Sequence, residues 1–99
     1  MSELDRLVGS TLLSLKQENE YLVSKFSCGI VCAYNPATVT GENNSLINQV
    51  VQSVSYQQGA SFGIILEGGE KIVISLRDCD YSEPEAFWAK FNCGAIVVE

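Results

Sequence analysis

The stretch Ser61-Phe62-Gly63-Ile64-Ile65-Leu66-Glu67-Gly68-Gly69-Glu70-Lys71-Ile72-Val73-Ile74-Ser75-Leu76 decides how this chain folds. Two β-branched runs flank a Gly-Gly pair, which is the pattern of a β-hairpin. Phe62, Ile64 and Leu66 alternate on the first arm, and Ile72, Ile74 and Leu76 on the second. A slip of one residue would turn a whole apolar set to the wrong face, so the length of the turn matters. A two-residue Gly68-Gly69 turn sets Ile72, Ile74 and Leu76 opposite Ile65, Gly63 and Ser61, a mismatch. A Glu67-Gly68-Gly69 loop pairs Ile64 with Ile72 and Phe62 with Ile74, and it puts Gly69 where the backbone turns left-handed. A Gly68-Gly69-Glu70 loop pairs Leu66 with Ile72 and Glu67 with Lys71. Gly69 favours the former.

An earlier hairpin resembles this one. Tyr21 to Phe26 and Ile30 to Tyr34 read as strands around Ser27-Cys28-Gly29. Setting Phe26-Ser27-Cys28-Gly29 against Leu66-Glu67-Gly68-Gly69 places Cys32 on Ile72 and Tyr34 on Ile74. Upstream, after a one-residue shift, Leu7-Val8 falls on Leu46-Ile47, Leu12 on Val51 and Leu15 on Val54. Both copies read as a short helical turn, a strand, a polar turn and a glycine-closed hairpin. The repeat spans residues 7–36 and 46–76, and two such half-sheets bury one face jointly. Residues 11–17 alternate as a strand, although Leu12 and Leu15 also fit a helical face. Asn35-Pro36-Ala37 breaks the first copy, because proline cannot donate to a ladder. Residues 38–45 read as a connecting loop, and a long strand follows from about Asn48 to Tyr56.

After Leu76 the pattern changes. Ser82-Glu83-Pro84-Glu85 has the form of a capping box, and proline is tolerated in a first helical turn. Phe87 and Phe91 stand four apart, so the spacing predicts a helix over residues 83–92 with those rings on the sheet. Gly94 is placed to end it, and residues 94–98 form a closing strand.

Ninety-nine residues make one small domain, here residues 1–99. An apolar fraction of 46% with 18% charged residues belongs to a globular chain. No apolar run approaches the ~18 to 20 residues that cross a bilayer, so no membrane contact is expected. Met1-Ser2-Glu3-Leu4-Asp5-Arg6 lacks the order of a signal peptide, which leads to the expectation of a cytoplasmic protein. Asn43-Asn44-Ser45 matches a glycosylation acceptor but reads as a polar loop without a secretory route.

The net charge is −6 and uneven, with four acids against three bases before residue 41 and eight against three after it. Nucleic-acid binding needs a basic footprint to displace counterions, and none is present. An acidic surface favours a basic partner. Cys28, Cys32, Cys79 and Cys93 do not follow a zinc spacing, and the chain has no histidine. Along one strand Cys28 and Cys32 stand roughly 13 Å apart, too far for a disulfide or for sharing one metal. Reduced, passive thiols are the expectation, with no metal and no cofactor.

Asp78, Asp80, Glu83 and Glu85 crowd the turn before the expected helix, flanked by Tyr81 and Trp88. One reading makes them a site for a basic partner, because aromatics beside charges are common in binding patches. The other assigns the carboxylates to the helix dipole and Trp88 to the core. Catalysis finds little support, since without histidine neither Ser-His nor Cys-His activation is available. Gly68-Gly69 is too short for a phosphate cradle and no helix follows it.

The segment Asp80-Tyr81-Ser82-Glu83-Pro84-Glu85-Ala86, after a strand ending in Ser75-Leu76, resembles a D-Y-x-x-P-E-A group of small bacterial proteins. Some of that group are similar to immunity proteins that neutralise toxins delivered between neighbouring cells. The resemblance covers residues 46–99 well and the first half loosely. Glu83 stands where the D-Y-S-G-P-E-A form has glycine. It implies a bacterial cytoplasmic protein and carries no site assignment.

The expected fold is therefore α+β and strand-rich. Two related antiparallel β-units make a curved sheet or half-barrel, with a C-terminal helix packed on it. The expected core is Leu13, Leu15, Phe26, Tyr34, Val54, Phe62, Ile64, Leu66, Ile72, Ile74, Leu76, Phe87 and Phe91. The expected function is a non-catalytic acidic binding protein, specifically an immunity protein covering a basic toxin domain through Asp78, Asp80, Tyr81, Glu83, Glu85 and Trp88. A homodimeric structural or regulatory module is the alternative.

Overall fold

The Ser61–Ser75 hairpin closes through Glu67-Gly68-Gly69, with Ile64 opposite Ile72 and Phe62 opposite Ile74. The Gly69 amide donates to the Leu66 carbonyl at 3.0 Å, and the Leu66 amide donates to the Glu70 carbonyl at 2.9 Å. Gly69 takes a φ of 95°, a region that L side chains resist. The computed structural model describes residues 3–18, 21–40, 46–80 and 85–98; the side chains of Glu3 and Asp78 lie outside that set. Its strands are β1 (Leu12–Glu18), β2 (Tyr21–Phe26), β3 (Gly29–Ala33), β4 (Ala37–Val39), β5 (Val51–Gln57), β6 (Ser61–Leu66), β7 (Lys71–Ser75), β8 (Phe87–Phe91) and β9 (Ile96–Val98). Two short 3₁₀ turns, Glu3–Leu7 and Asp78–Asp80, complete the described elements.

The strands form two antiparallel sheets, ordered β1-β2-β3-β8-β9 and β4-β7-β6-β5. Each sheet holds one meander and strands from the other half, β8 and β9 in the first and β4 in the second. β4 follows β3 along the chain yet pairs with β7, and β8 follows β7 yet pairs with β3. The exchange is matched in detail. The Ser75 amide donates to the Pro36 carbonyl at 3.0 Å, and the Tyr34 amide donates to the Ala86 carbonyl at 2.8 Å. Pro36, lacking a donor, offers only its carbonyl here.

The first strands of the two meanders meet at the Thr11–Val50 bridge. Hydrogen bonds around it come in matched pairs. Gly9 N–H to Val51 O (2.9 Å) mirrors Asn48 N–H to Leu12 O (2.8 Å), and Leu12 N–H to Gln49 O (2.9 Å) mirrors Val51 N–H to Ser10 O (2.8 Å). Gly9 and Asn48 also share positive φ, 88° and 73°, and asparagine tolerates this region better than most residues. A register shift falls between Leu12 and Ser14 in β1 and between Val51 and Ser53 in β5. The hairpins differ by one residue, since Phe26 pairs with Gly29 across a two-residue turn. The counterparts of Ile72 and Ile74 are therefore Val31 and Ala33, not Cys32 and Tyr34.

Between the sheets lies one apolar core, in which Phe62 of β6 stacks on Phe87 of β8 with centroids 4.9 Å apart and planes 13° apart. Phe26, Phe62, Ile64, Leu66, Ile72, Ile74, Leu76, Phe87 and Phe91 are buried as expected. Leu15 and Val54 are partly buried against that core. Leu13 is 52% exposed, because the β1 bulge turns Leu12 inward and Leu13 outward. Tyr34 follows β3 just outside the core, one residue out of phase with the buried Ala33.

The expected α+β class is corrected by the C-terminal segment: Phe87–Phe91 is β8, and no helix packs on the sheets at residues 85–92. Phe87, Ala89 and Phe91 point inward while Trp88 and Lys90 point outward, a period of two. A spacing of four satisfies the strand period as well as the helical one. The free ladder edge of β3 decides between them, because pairing with β8 satisfies its backbone groups. Ser82, Glu83 and Pro84 of the expected capping box lie outside the described residues. Gly94, assigned to a helix end, instead closes the β8–β9 hairpin with a φ of 97°. Its amide donates to Phe91 O at 2.9 Å, as Gly69 does to Leu66 O. Thr38 and Val39, expected in a loop, belong with Ala37 to β4.

Candidate functional site

The five-stranded sheet turns an unusual face away from the core. Leu22, Ser24 and Phe26 of β2 are buried, which leaves Tyr21, Val23 and Lys25 on the outside. Cross-strand registry extends these into rows. One row runs Lys16–Val23–Cys32–Trp88–Val98, and the next runs Ser14–Lys25–Ile30–Lys90–Ile96. Side chains directly opposite one another on a face are in contact range, so each row is a continuous strip.

Three aromatics are locked together at one end. The Trp88 indole N–H donates to the Tyr34 hydroxyl at 2.7 Å. The Tyr34 ring meets Tyr21 edge-on, with centroids 4.9 Å apart and planes at 72°. A half-buried tryptophan with its polar atom satisfied and its ring held in place is preorganised for contact. Cys32, only 7% exposed, lies in the row beside Trp88. Burial, and then the Glu18 carboxylate, push its thiol pKa up, which disfavours the reactive thiolate. Lys16 donates to Glu18 at 2.9 Å. That hydrogen bond, followed by the charge attraction, raises the lysine pKa. Among the described residues, Lys25 and Lys90 have no carboxylate within ion-pair distance.

The four-stranded sheet supplies a control built on the same scheme. Its outer rows are Ser55–Gly63–Val73–Thr38, Ser53–Ile65–Lys71 and Gln57–Ser61–Ser75. Where one face carries Val23, Trp88, Tyr21 and Tyr34, the other carries Gly63, Thr38, Ser61 and Ser75. No family model, curated protein or solved structure matches the chain. The contrast between these faces is thus what points to a site.

The acidic cluster named from the sequence is only partly in view. Tyr81, Glu83 and the Asp78 side chain lie outside the described residues. Asp80 is half-buried and accepts a short hydrogen bond from the Ser75 hydroxyl, which ties it to the four-stranded sheet. Glu85 is half-buried just before β8. Trp88 stands on the outer face of the other, five-stranded sheet. Sequence reasoning missed Tyr21, Val23, Tyr34, Lys25 and Lys90. The available signal was in β2 itself, where Tyr21 and Val23 are apolar on the face opposite Leu22 and Phe26.

Proposed function

We propose that this chain is a non-catalytic protein-binding domain that docks a partner on the outer face of its five-stranded sheet, with Trp88 and Tyr34 at the centre. The observation that carries this is the hydrogen-bonded Trp88–Tyr34–Tyr21 cluster on a face whose counterpart holds threonine, serine and serine. Tryptophan and tyrosine dominate binding energy at protein interfaces when they are rigid and flanked by apolar neighbours. The absence of histidine and the elevated thiol pKa of Cys32 argue for gripping over reacting.

The specific form of the proposal is a bacterial immunity protein, acting in the cytoplasm by covering a cognate toxin domain. It rests on the D-Y-x-x-P-E-A resemblance and on the net charge of −6, which favours encounter with a basic protein. The test is a pull-down with the variable C-terminal domain of a large secreted protein encoded by the adjacent upstream gene. Trp88→Ala should weaken capture by about 30-fold, or ~2 kcal/mol, while Thr38→Ala on the twin face leaves it unchanged. Capture that survives Trp88→Ala but fails on charge reversal at Asp80 and Glu85 would move the site to the acidic turn.

One observation favours the homodimeric alternative. β9 is a short edge strand whose Ile96 and Val98 are 61% and 57% exposed, and edge strands pair with copies of themselves. A stable dimer in sedimentation, with no capture of the toxin domain, would support that reading instead.

A further inference from the structure

Beside the Trp88 row, the outer face dips into an open cleft of about 470 Å³, lined on its apolar side by Leu13 and Ile30. Lys25 and Lys90 rise on its two sides, each directly cross-strand from Ile30. Gly94 leaves the far end clear. Strands sit ~4.8 Å apart, so the two lysine stems stand roughly 10 Å from each other with an apolar residue between them. This is a local inversion of the chain's charge: two cations frame an oily floor on a protein of net charge −6.

We infer that this cleft receives a partner polypeptide segment in which one apolar side chain is flanked on both sides by carboxylates. The apolar side chain sits over Ile30, and the carboxylates meet the Lys25 and Lys90 ammonium groups. In an extended segment residues i, i+2 and i+4 share one face, so the apolar residue at i+2 stands between carboxylates at i and i+4, ~13 Å apart, a span that flexible lysines reach from stems roughly 10 Å apart. A polypeptide fits better than a free small molecule because the cleft is open along the sheet. Small ligands are held by enclosure, whereas this floor continues into the Trp88–Val98 row. The inference rests on the protein-binding reading above, and it adds the local chemistry of the partner. Net charge governs approach over a Debye length, and the cleft governs the contact itself.

The test is an amide chemical-shift titration of the full chain with three capped pentapeptides, Glu-Ser-Leu-Ser-Glu, Lys-Ser-Leu-Ser-Lys and Glu-Ser-Gly-Ser-Glu, in which the first, third and fifth residues share one face. The Glu-Ser-Leu-Ser-Glu peptide should bind about five- to tenfold more tightly than the other two, the scale of two exposed ion pairs against the lysine peptide and of one partly buried leucine against the glycine peptide. Its shifts should centre on Lys25, Ile30 and Lys90. The double variant Lys25→Glu/Lys90→Glu, at two exposed positions, should reverse the preference in favour of Lys-Ser-Leu-Ser-Lys. Equal binding of all three peptides, or shifts centred elsewhere, would overturn the inference. Toxin-domain capture separates the two levels. Loss on Trp88→Ala with retention in the double lysine variant sinks the cleft and leaves the docking face standing. Retention in both variants sinks the docking face as well.

Discussion

The outer faces of the two sheets are built on one hydrogen-bond scheme and differ almost entirely in side chains. Both begin at a residue with positive φ, Gly9 or Asn48, and both bulge one residue into their first strand. Both also extend their meander with strands from the other half, β8 and β9 in one and β4 in the other. Folding therefore asks the same of each face, and where they differ, folding is not the reason. Lys16, Val23, Cys32 and Trp88 in one row stand against Ser55, Gly63, Val73 and Thr38 in the other. A row of mostly small side chains, two of them hydroxyls, suits a surface that meets only water. An aromatic and aliphatic row in the same geometry leaves apolar surface to be covered, and contiguous patches of that kind mark interaction sites.

The largest expected effect breaks the face itself. Gly29 starts β3, and a Cβ placed there would stand 2.2 Å from the Lys90 carbonyl oxygen and 2.8 Å from the Phe91 Cα. Both obstacles are backbone, so β8 must move away from β3. We expect Gly29→Ala to cost about 3 kcal/mol, near the top of the range for overpacking. For a domain of this size the melting temperature would fall by ~12 °C or more, as thermal unfolding followed by circular dichroism will show. The corresponding residue of the other meander is Glu70, so the twin face has no such constraint.

Gly29 also shows where reading by sequence alone goes astray. Aligned with Gly69, it looks like a second loop-closing glycine, yet only Gly69 has positive φ. Gly29 is required by the close approach of β8, a contact between residues far apart in the chain. That false match moved Tyr34 into the core, because it shifted the phase of β3 by one residue. The hairpin of residues 61–75 was legible because its signals are local: alternating apolar residues and one glycine at the turn. β8 was not, because Phe87 and Phe91 serve two periods equally and the strand it pairs with lies in the other half. The candidate site was legible only at Trp88. Its neighbours Cys32 and Tyr34 come from β3 and the residue just after it, brought beside Trp88 by strand exchange, and Val98 comes from the following hairpin strand.

A smaller effect sharpens the comparison at the aromatic cluster. Tyr34→Phe keeps the ring against Tyr21 but removes the oxygen that accepts the Trp88 indole N–H. We expect a loss of about 1 kcal/mol of stability, the usual worth of such a bond. Trp88 is the only tryptophan in the chain, so its emission reports on this face alone. A changed emission maximum in Tyr34→Phe, with an unchanged one in Ser75→Ala at the twin position, would show that the cluster fixes the indole. Identical spectra for wild type and Tyr34→Phe would mean that it does not.

The smallest effect tests the claim that the second face is under no demand but folding. Gly63 occupies the position of Val23, in the middle of β6, with φ outside the left-handed region. A Cβ added there meets Ile65 Cδ1 and Ser55 Cβ at 3.9 Å, which is ordinary van der Waals contact. Glycine in a strand interior costs roughly 0.5–1 kcal/mol relative to alanine, through the entropy it loses on folding. Gly63→Ala should therefore stabilise the chain by about that amount in urea titration, with capture of the partner unaltered. If Gly63→Ala weakens capture, the four-stranded sheet also meets the partner, and the asymmetry in side chains would then separate two contact surfaces rather than a docking face from an idle one.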